Sequence, residues 1–263
     1  MVTFFSVLAG KNYNTTTILK PSPGYACNGF TNRYFCVVKD LLHNPVYNAL
    51  RSGDQSLSYG TDAVKFFDEQ VSPFVGFDEN YSKGFADLHE LLPVGRKILY
   101  AIPTAIFPPQ GWQVLHDIEG LQFVYEGPGL IKTEFKDVLP LGPMHINQMV
   151  ELAALTKPGP FGTGTINFGY YHGIFDNGKL VAMTGQRLHV QNYTEISAVC
   201  THPHYTGKGY AHTLLLHQLQ IILEQGKQPF LHVREDNNRA IAIYKRLGFT
   251  ISRPMNFYIM QRQ

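Results

Sequence analysis

The chain is poor in cysteine. Three cysteines in 263 residues, Cys27, Cys36 and Cys200, do not make a disulfide framework, and the length is ample for a buried apolar core. Cys27 and Cys36 could pair with each other. Cys200 lies inside an apolar run and reads as a small core residue rather than a nucleophile. Charge is sparse too: 16% of residues are Asp, Glu, Lys or Arg, and the formal net charge is +2. That balance gives no argument for nucleic acid or a membrane surface as partner. No apolar stretch approaches the length of a membrane span, and the opening MVTFFSVLAG lacks the basic start and unbroken apolar run of a secretory signal. A cytoplasmic location is the expectation. Repeats and low-complexity tracts are missing. Metal-ligand spacing is missing as well. His202 and His204 have no nearby Asp, Glu or Cys to complete a set, and His212 and His217, five apart on a helical pattern, do not share a face. No metal is expected.

What is present is a globular composition, 44% hydrophobic, with a signal that strengthens along the chain. Residues 1–127 read as a first unit. Asn44-Pro45 opens a helical pattern, a second helical stretch falls near Ala63–Gln70, and Leu88–Leu92 forms a short helix ended by Pro93 and Gly95. Ile98–Ile102 and Gln122–Tyr125 read as strands, and Phe107–Gly111 as a loop. Gly127-Pro128-Gly129 is the best linker, so residues 128–263 form the second unit. There His145–Leu155 has the spacing of an amphipathic helix. Gly169–Phe175 and Lys179–Val190 flank Asp176-Asn177-Gly178, a hairpin signal because Asn-Gly tolerates the positive φ of a type I′ turn. A strand over 195–201, a helix over 210–225, a strand over 229–233, a helix over 237–246 and two strands, 249–252 and 255–260, complete the order. The last 63 residues hold eight Lys/Arg against three Asp/Glu, which suits a ligand with phosphates.

Between the strand ending at Thr201 and the helix from Tyr210 lies HPHYTGKGYA. Strand, glycine turn and helix start present backbone N–H groups to an anion. Gly207 and Gly209 let a ligand approach the backbone closely. A P-loop would need GxxxxGK followed by Ser or Thr, and a Rossmann turn a third glycine where His212 stands. The segment His204-Tyr205-Thr206-Gly207-Lys208-Gly209, with Ala211 following, resembles the acetyl-CoA signature [Q/R]xxGx[G/A] of the GNAT N-acetyltransferase superfamily; His204 stands in place of Gln or Arg. Downstream, Asp236–Phe249 matches NxxAxxxYxxxGF with Asn237, Ala240, Tyr244, Gly248 and Phe249. The wording from about Phe135 onward is similar to the glycine N-acyltransferase-like branch of that superfamily.

The resemblance implies an α/β (α+β) GNAT fold, a mixed and mostly antiparallel sheet flanked by helices. It also implies an N-terminal companion domain of degenerate GNAT type that shapes the acceptor pocket. It implies acyl transfer from acetyl-CoA to a primary amine, a small molecule or amino acid, by a monomer or homodimer. A non-catalytic acyl-CoA-binding module is the alternative. Cofactor contacts are expected from Val199, Cys200 and Thr201 on the strand, from Tyr205, Thr206, Gly207, Lys208, Gly209, Tyr210 and Ala211 in the turn, and from Asn237 and Tyr244. Tyr244 is the expected general acid. Glu195 and His232 are alternative bases; histidine as a type titrates near neutrality, and strict alternation would put Glu195 on one face with Ser197, Val199 and Thr201.

Overall fold

The computed structural model describes residues 40–129 and 133–263. Cys27, Cys36 and the opening MVTFFSVLAG lie outside them. Among the described residues eleven strands form one sheet: β1 (Ser58–Gly60), β2 (Val64–Phe67), β3 (Phe74–Phe77), β4 (Lys97–Ile102), β5 (Trp112–Tyr125), β6 (Leu139–Pro140), β7 (His172–Asp176), β8 (Lys179–Val190), β9 (Tyr193–Thr201), β10 (Gln228–Arg234) and β11 (Phe249–Arg262). Their spatial order is β1-β2-β3-β4-β11-β5-β10-β9-β8-β7-β6. Only β3/β4 and β9/β10 run parallel, so the sheet is mixed and mostly antiparallel, as expected.

Five α-helices cover it: α1 (Pro45–Leu50), α2 (Gly84–Leu91), α3 (Ile146–Thr156), α4 (Tyr210–Glu224) and α5 (Asn238–Leu247). Alternation along the strands divides the core. On one face Leu215, Leu219 and Ile222 of α4 and Tyr244 of α5 pack against Phe123, Leu231, Val233 and Phe249. On the other, α1 and α3 pack against Phe74, Leu99, Met183, Phe230 and Met255. A fully buried Leu or Ile stabilises by about 1.5–3 kcal/mol. Asn44 caps α1 by accepting from Tyr47 N at 3.3 Å, with Pro45 following.

Several expectations need correction. The helix near Ala63–Gln70 is strand β2: Val64 and Phe67 are buried in different core clusters, and the segment hydrogen-bonds to β1 and β3. Pairing partners overrode a local pattern of only eight residues. The two final strands are one, bent by a bulge between Ile251 and Arg253. Pro254 is tolerated there because β4 joins β11 only from Asn256 onward, leaving no ladder bond to lose on that side. The sheet also continues across Gly127. Strand β5, from before it, lies between β10 and β11, both from after it. The hairpin is as expected, with Asn177 at φ 48° and Gly178 at φ 77°.

Candidate active site

The pairing of β9 with β10 stops at Glu195–Phe230, yet β9 runs on to Thr201 and β10 to Arg234. The strands therefore fork. Beyond Glu195, β9 is bonded to β8 along one edge, while among the described residues no strand pairs with the other. A cavity of about 820 Å³ fills the fork. Val199, Cys200, Thr201, Thr206, Ala211, His232, Asn237 and Tyr244 all border it; the sequence had singled out every one of these.

Strict alternation does not hold along β9. Ala198 has φ 52°, and the register with β8 slips between Gly185 and Met183. A bulge inserts one residue and reverses the faces beyond it. Ile196 and Val199 consequently pack on the α4/α5 side, whereas Ala198 and Cys200 join the opposite core. Val199 and Thr201 do not continue the face of Glu195 and Ser197. The Cys200 thiol is buried, and burial pushes it up to about 11 despite contacts with Thr156 and Met183. It is not a thiolate nucleophile.

The glycine turn leaves its donors open. Gly207 and Gly209 both have φ 84°, and a Cβ at either would meet nothing within 4 Å. Among the described residues, the N–H groups of Gly207 through His212 have no protein acceptor; the first bond of α4 is from Thr213 N to Gly209 O. Six successive free donors at a helix start form an anion cradle. Tyr205 points away from this role. Its hydroxyl donates to Asp176 Oδ2 at 2.7 Å on the β7–β8 hairpin, its ring lies near that of Tyr210, and Lys208 Nζ sits 4.5 Å above it. Tyr205 thus anchors the turn. His204 is exposed, and its ring lies 5.3 Å from that of His202.

Asn237 caps α5 by accepting from Ala240 N at 3.1 Å while bordering the cavity. Two turns further, Tyr244 packs between Phe123 and Phe249. Burial, with the Glu195 charge added, pushes its hydroxyl up to about 12. It stays protonated at neutral pH and has a proton to donate in a hydrogen bond.

The two base candidates meet in one network. Arg187 holds Glu195 with a two-point fork, Nε to Oε2 at 2.8 Å and Nη2 to Oε1 at 2.9 Å. His232 Nδ1 lies 2.9 Å from Glu195 Oε1, and its Nε2 lies 3.1 Å from Gln122 Nε2. Side-chain exposure is 1% for Glu195, 4% for His232 and 14% for Arg187. Burial alone would raise the Glu195 carboxyl, but the Arg187 charge, the His232 ring and hydrogen bonds from both bring it down to about 2. A carboxylate so stabilised is a poor proton acceptor. Of the two, His232 borders the cavity.

Sequence reading missed much of the opposite wall. Phe74, Leu99 and Ile118 come from strands before residue 127, Pro158 and Pro160 from the loop after α3, and Arg187 from β8. The loop over 157–165 is rich in Pro and Gly, and nothing in that composition marks its place at the cavity. Among the described residues no group of three or more His, Cys, Asp or Glu could hold a metal ion, and no described helix is long and apolar enough to cross a membrane.

The sheet thus forks, and an anion cradle opens at one end of the fork. Comparison with known proteins is more specific. Residues 171–257 match the FR47-like protein family. A GNAT-family acetyltransferase structure from Novosphingobium aromaticivorans is 30% identical, with a TM-score of 0.79, covering 84% of this chain and 98% of its own. The chain belongs to the GNAT family of acetyltransferases, and acyl transfer is its chemistry at the level of the superfamily. A GCN5-related N-acetyltransferase from Kribbella flavida shares the fold at 15% identity and TM-score 0.53, covering 83% of this chain and 95% of its own. A Drosophila protein shares it at 12% identity and TM-score 0.56, covering 74% and 73%. No curated protein matches the sequence.

Proposed function

We propose that this protein is a cytoplasmic N-acyltransferase of the glycine N-acyltransferase-like branch. It moves an acetyl or short acyl group from acyl-CoA to the primary amine of a small molecule or amino acid. The observation that carries this reading is the run of six free N–H groups, Gly207 to His212, opening beside the forked strands. The diphosphate of CoA is an anion suited to that run, and the pantetheine arm suits the unpaired edge of β9 as an added strand would. Thr201 adds a hydroxyl that is buried without a partner at the cavity wall.

The two faces of the fork then divide the work. Residues after 127 supply the acyl-CoA side, from Thr206, Ala211, Asn237 and Tyr244. The earlier residues Phe74, Leu99 and Ile118 shape the acceptor side. The amine nitrogen attacks the thioester carbonyl, a C–N bond forms and the C–S bond breaks. His232 takes the amine proton, and Glu195 orients its ring and stabilises the imidazolium. Tyr244 donates to the departing sulfur. A thiol ordinarily titrates near 8.5, so a tyrosine at about 12 hydrogen-bonds to the thiolate more readily than it surrenders its proton. Positioning supplies much of the rate, since the thioester is already activated.

The experiment is a thermal shift with saturating acetyl-CoA and CoA, with ATP and NAD as controls, followed by thiol release across a panel of amines. At about 100 times Kd a single-site ligand adds roughly 2.7 kcal/mol. A shift with acetyl-CoA and CoA alone, plus thiol release with an amine, is expected. Binding without release for any amine would favour the non-catalytic module, which the fully engaged Glu195 and His232 keep in view. No shift would sink the cofactor reading.

A further inference from the structure

The sheet register supplies a partner for the outer nitrogen of His232. Gln122 lies directly opposite His232 in the antiparallel β5/β10 pair, so the two side chains leave the same face. Gln122 is fully buried. Its Nε2 donates to Leu42 O at 2.9 Å, lies 3.1 Å from His232 Nε2, and has Met255 Sδ at 4.0 Å. The Leu42 carbonyl can only accept, so it fixes which end of the amide is the NH2. Turning the amide over would set two carbonyl oxygens against each other. Gln122 Oε1 meanwhile is buried with no partner, so nothing on that side favours the reversed orientation.

An NH2 facing His232 Nε2 calls for a lone pair there. Glu195 Oε1, 2.9 Å from Nδ1, calls for a proton at the other nitrogen. We propose that Gln122 is a positioning residue that holds His232 as the neutral Nδ1–H tautomer, its Nε2 lone pair accepting from the Gln122 NH2 until the acceptor amine displaces that hydrogen bond. This role rests on the reading of His232 as the base. Glu195 favours the imidazolium, whereas Gln122 opposes it, because a second proton would set N–H against N–H. The two therefore act against each other on the second proton of the ring.

The remaining surroundings leave that balance to these two residues. Arg187 is spent on Glu195, and the rings of Phe230 and Phe257 flank the imidazole with centroids 5.6 and 5.4 Å away. Arg253, opposite Gln122 on β11, is held by Asp40 at 2.6 Å and lies 3.5 Å from His43.

The test compares the full chain with Gln122→Met, which keeps the volume but loses the donor, and with Gln122→Glu, which offers His232 a carboxylate. Histidine ring nitrogen NMR across pH is recorded beside the pH profile of kcat/KM. The wild type should show the Nδ1–H tautomer. Ring protonation and the acidic limb should both move to higher pH in Gln122→Met, and by about 1–3 units in Gln122→Glu. An Nε2–H tautomer in the wild type, or an unmoved ring titration in Gln122→Glu, overturns the role of Gln122. A ring titration that moves while the pH–rate profile stays supports Gln122 as the residue setting the tautomer and overturns His232 as the base.

Discussion

The network of Arg187, Glu195, His232 and Gln122 and the turn from Tyr205 to His212 lie on the same sheet and obey opposite rules. In the network both oxygens of Glu195 and both nitrogens of His232 have partners, and almost none of it meets solvent. In the turn six consecutive backbone donors have none, and Gly207 and Gly209 stand in open space. Buried polar groups must be satisfied by the protein itself, so the network stiffens the fold whether or not a ligand is present. Exposed helix-start donors are satisfied by water and exchange that water for an anion at little structural cost. One region is satisfied from within the fold; the other leaves its donors to solvent or to an anion.

The largest test breaks the network. Glu195→Ala leaves Arg187 as an uncompensated buried charge and should cost about 3–5 kcal/mol in urea unfolding. Because the Glu195 carboxyl is held near 2 rather than its ordinary 4.5, its contribution is complete above pH 4.5 and is lost as pH falls towards 2. Glu195→Gln should show a weaker loss of stability over that window. If the two unfold alike across it, the network is not the anchor its geometry indicates.

Tyr244→Phe probes the far side of the fork. It should lower kcat by ~10²-fold and leave acetyl-CoA affinity alone, since the change removes only the hydroxyl. An unchanged kcat would take Tyr244 out of the reaction. The turn is tested by Gly209→Val: a β-branched residue at φ 84° is strained by about 1–2 kcal/mol and covers the free donors. Calorimetric affinity for CoA should fall by about tenfold or more. Lys208→Ala should have the smallest effect, a loss of roughly two- to fivefold that fades in high salt as screening takes over. A loss that persists in high salt would mean that the cation–π contact of Lys208 with Tyr205 shapes the turn.

Legibility followed the same division. The second half was readable because its signals are local. Asn-Gly at 177–178 fixes a hairpin, the apolar positions of 214–223 repeat at helical spacing, and the glycines at 207 and 209 mark a turn that needs positive φ. The elements before residue 97 were readable only in part. Strands β1 to β3 are three or four residues long, too short for a period to declare itself, and β2 carried a helical pattern that its neighbours overruled. The bulge at Ala198 had no signal either. Alanine does not advertise positive φ, so the faces of Val199 and Thr201 were misassigned.

The sequence by itself determined the order of the C-terminal elements, the anion cradle and the identity of Tyr244, Glu195 and His232 as residues worth weighing. These depend on neighbours along the chain and on motifs that few alternatives satisfy. Only the tertiary structure decided that Glu195 is locked by Arg187, that Gln122 meets His232 across a strand pair 110 residues apart, and that Phe74 and Leu99 border the cavity. Contacts at such separation are set by strand register and sheet order, which arise from packing the whole core at once and leave no periodic trace in any one segment.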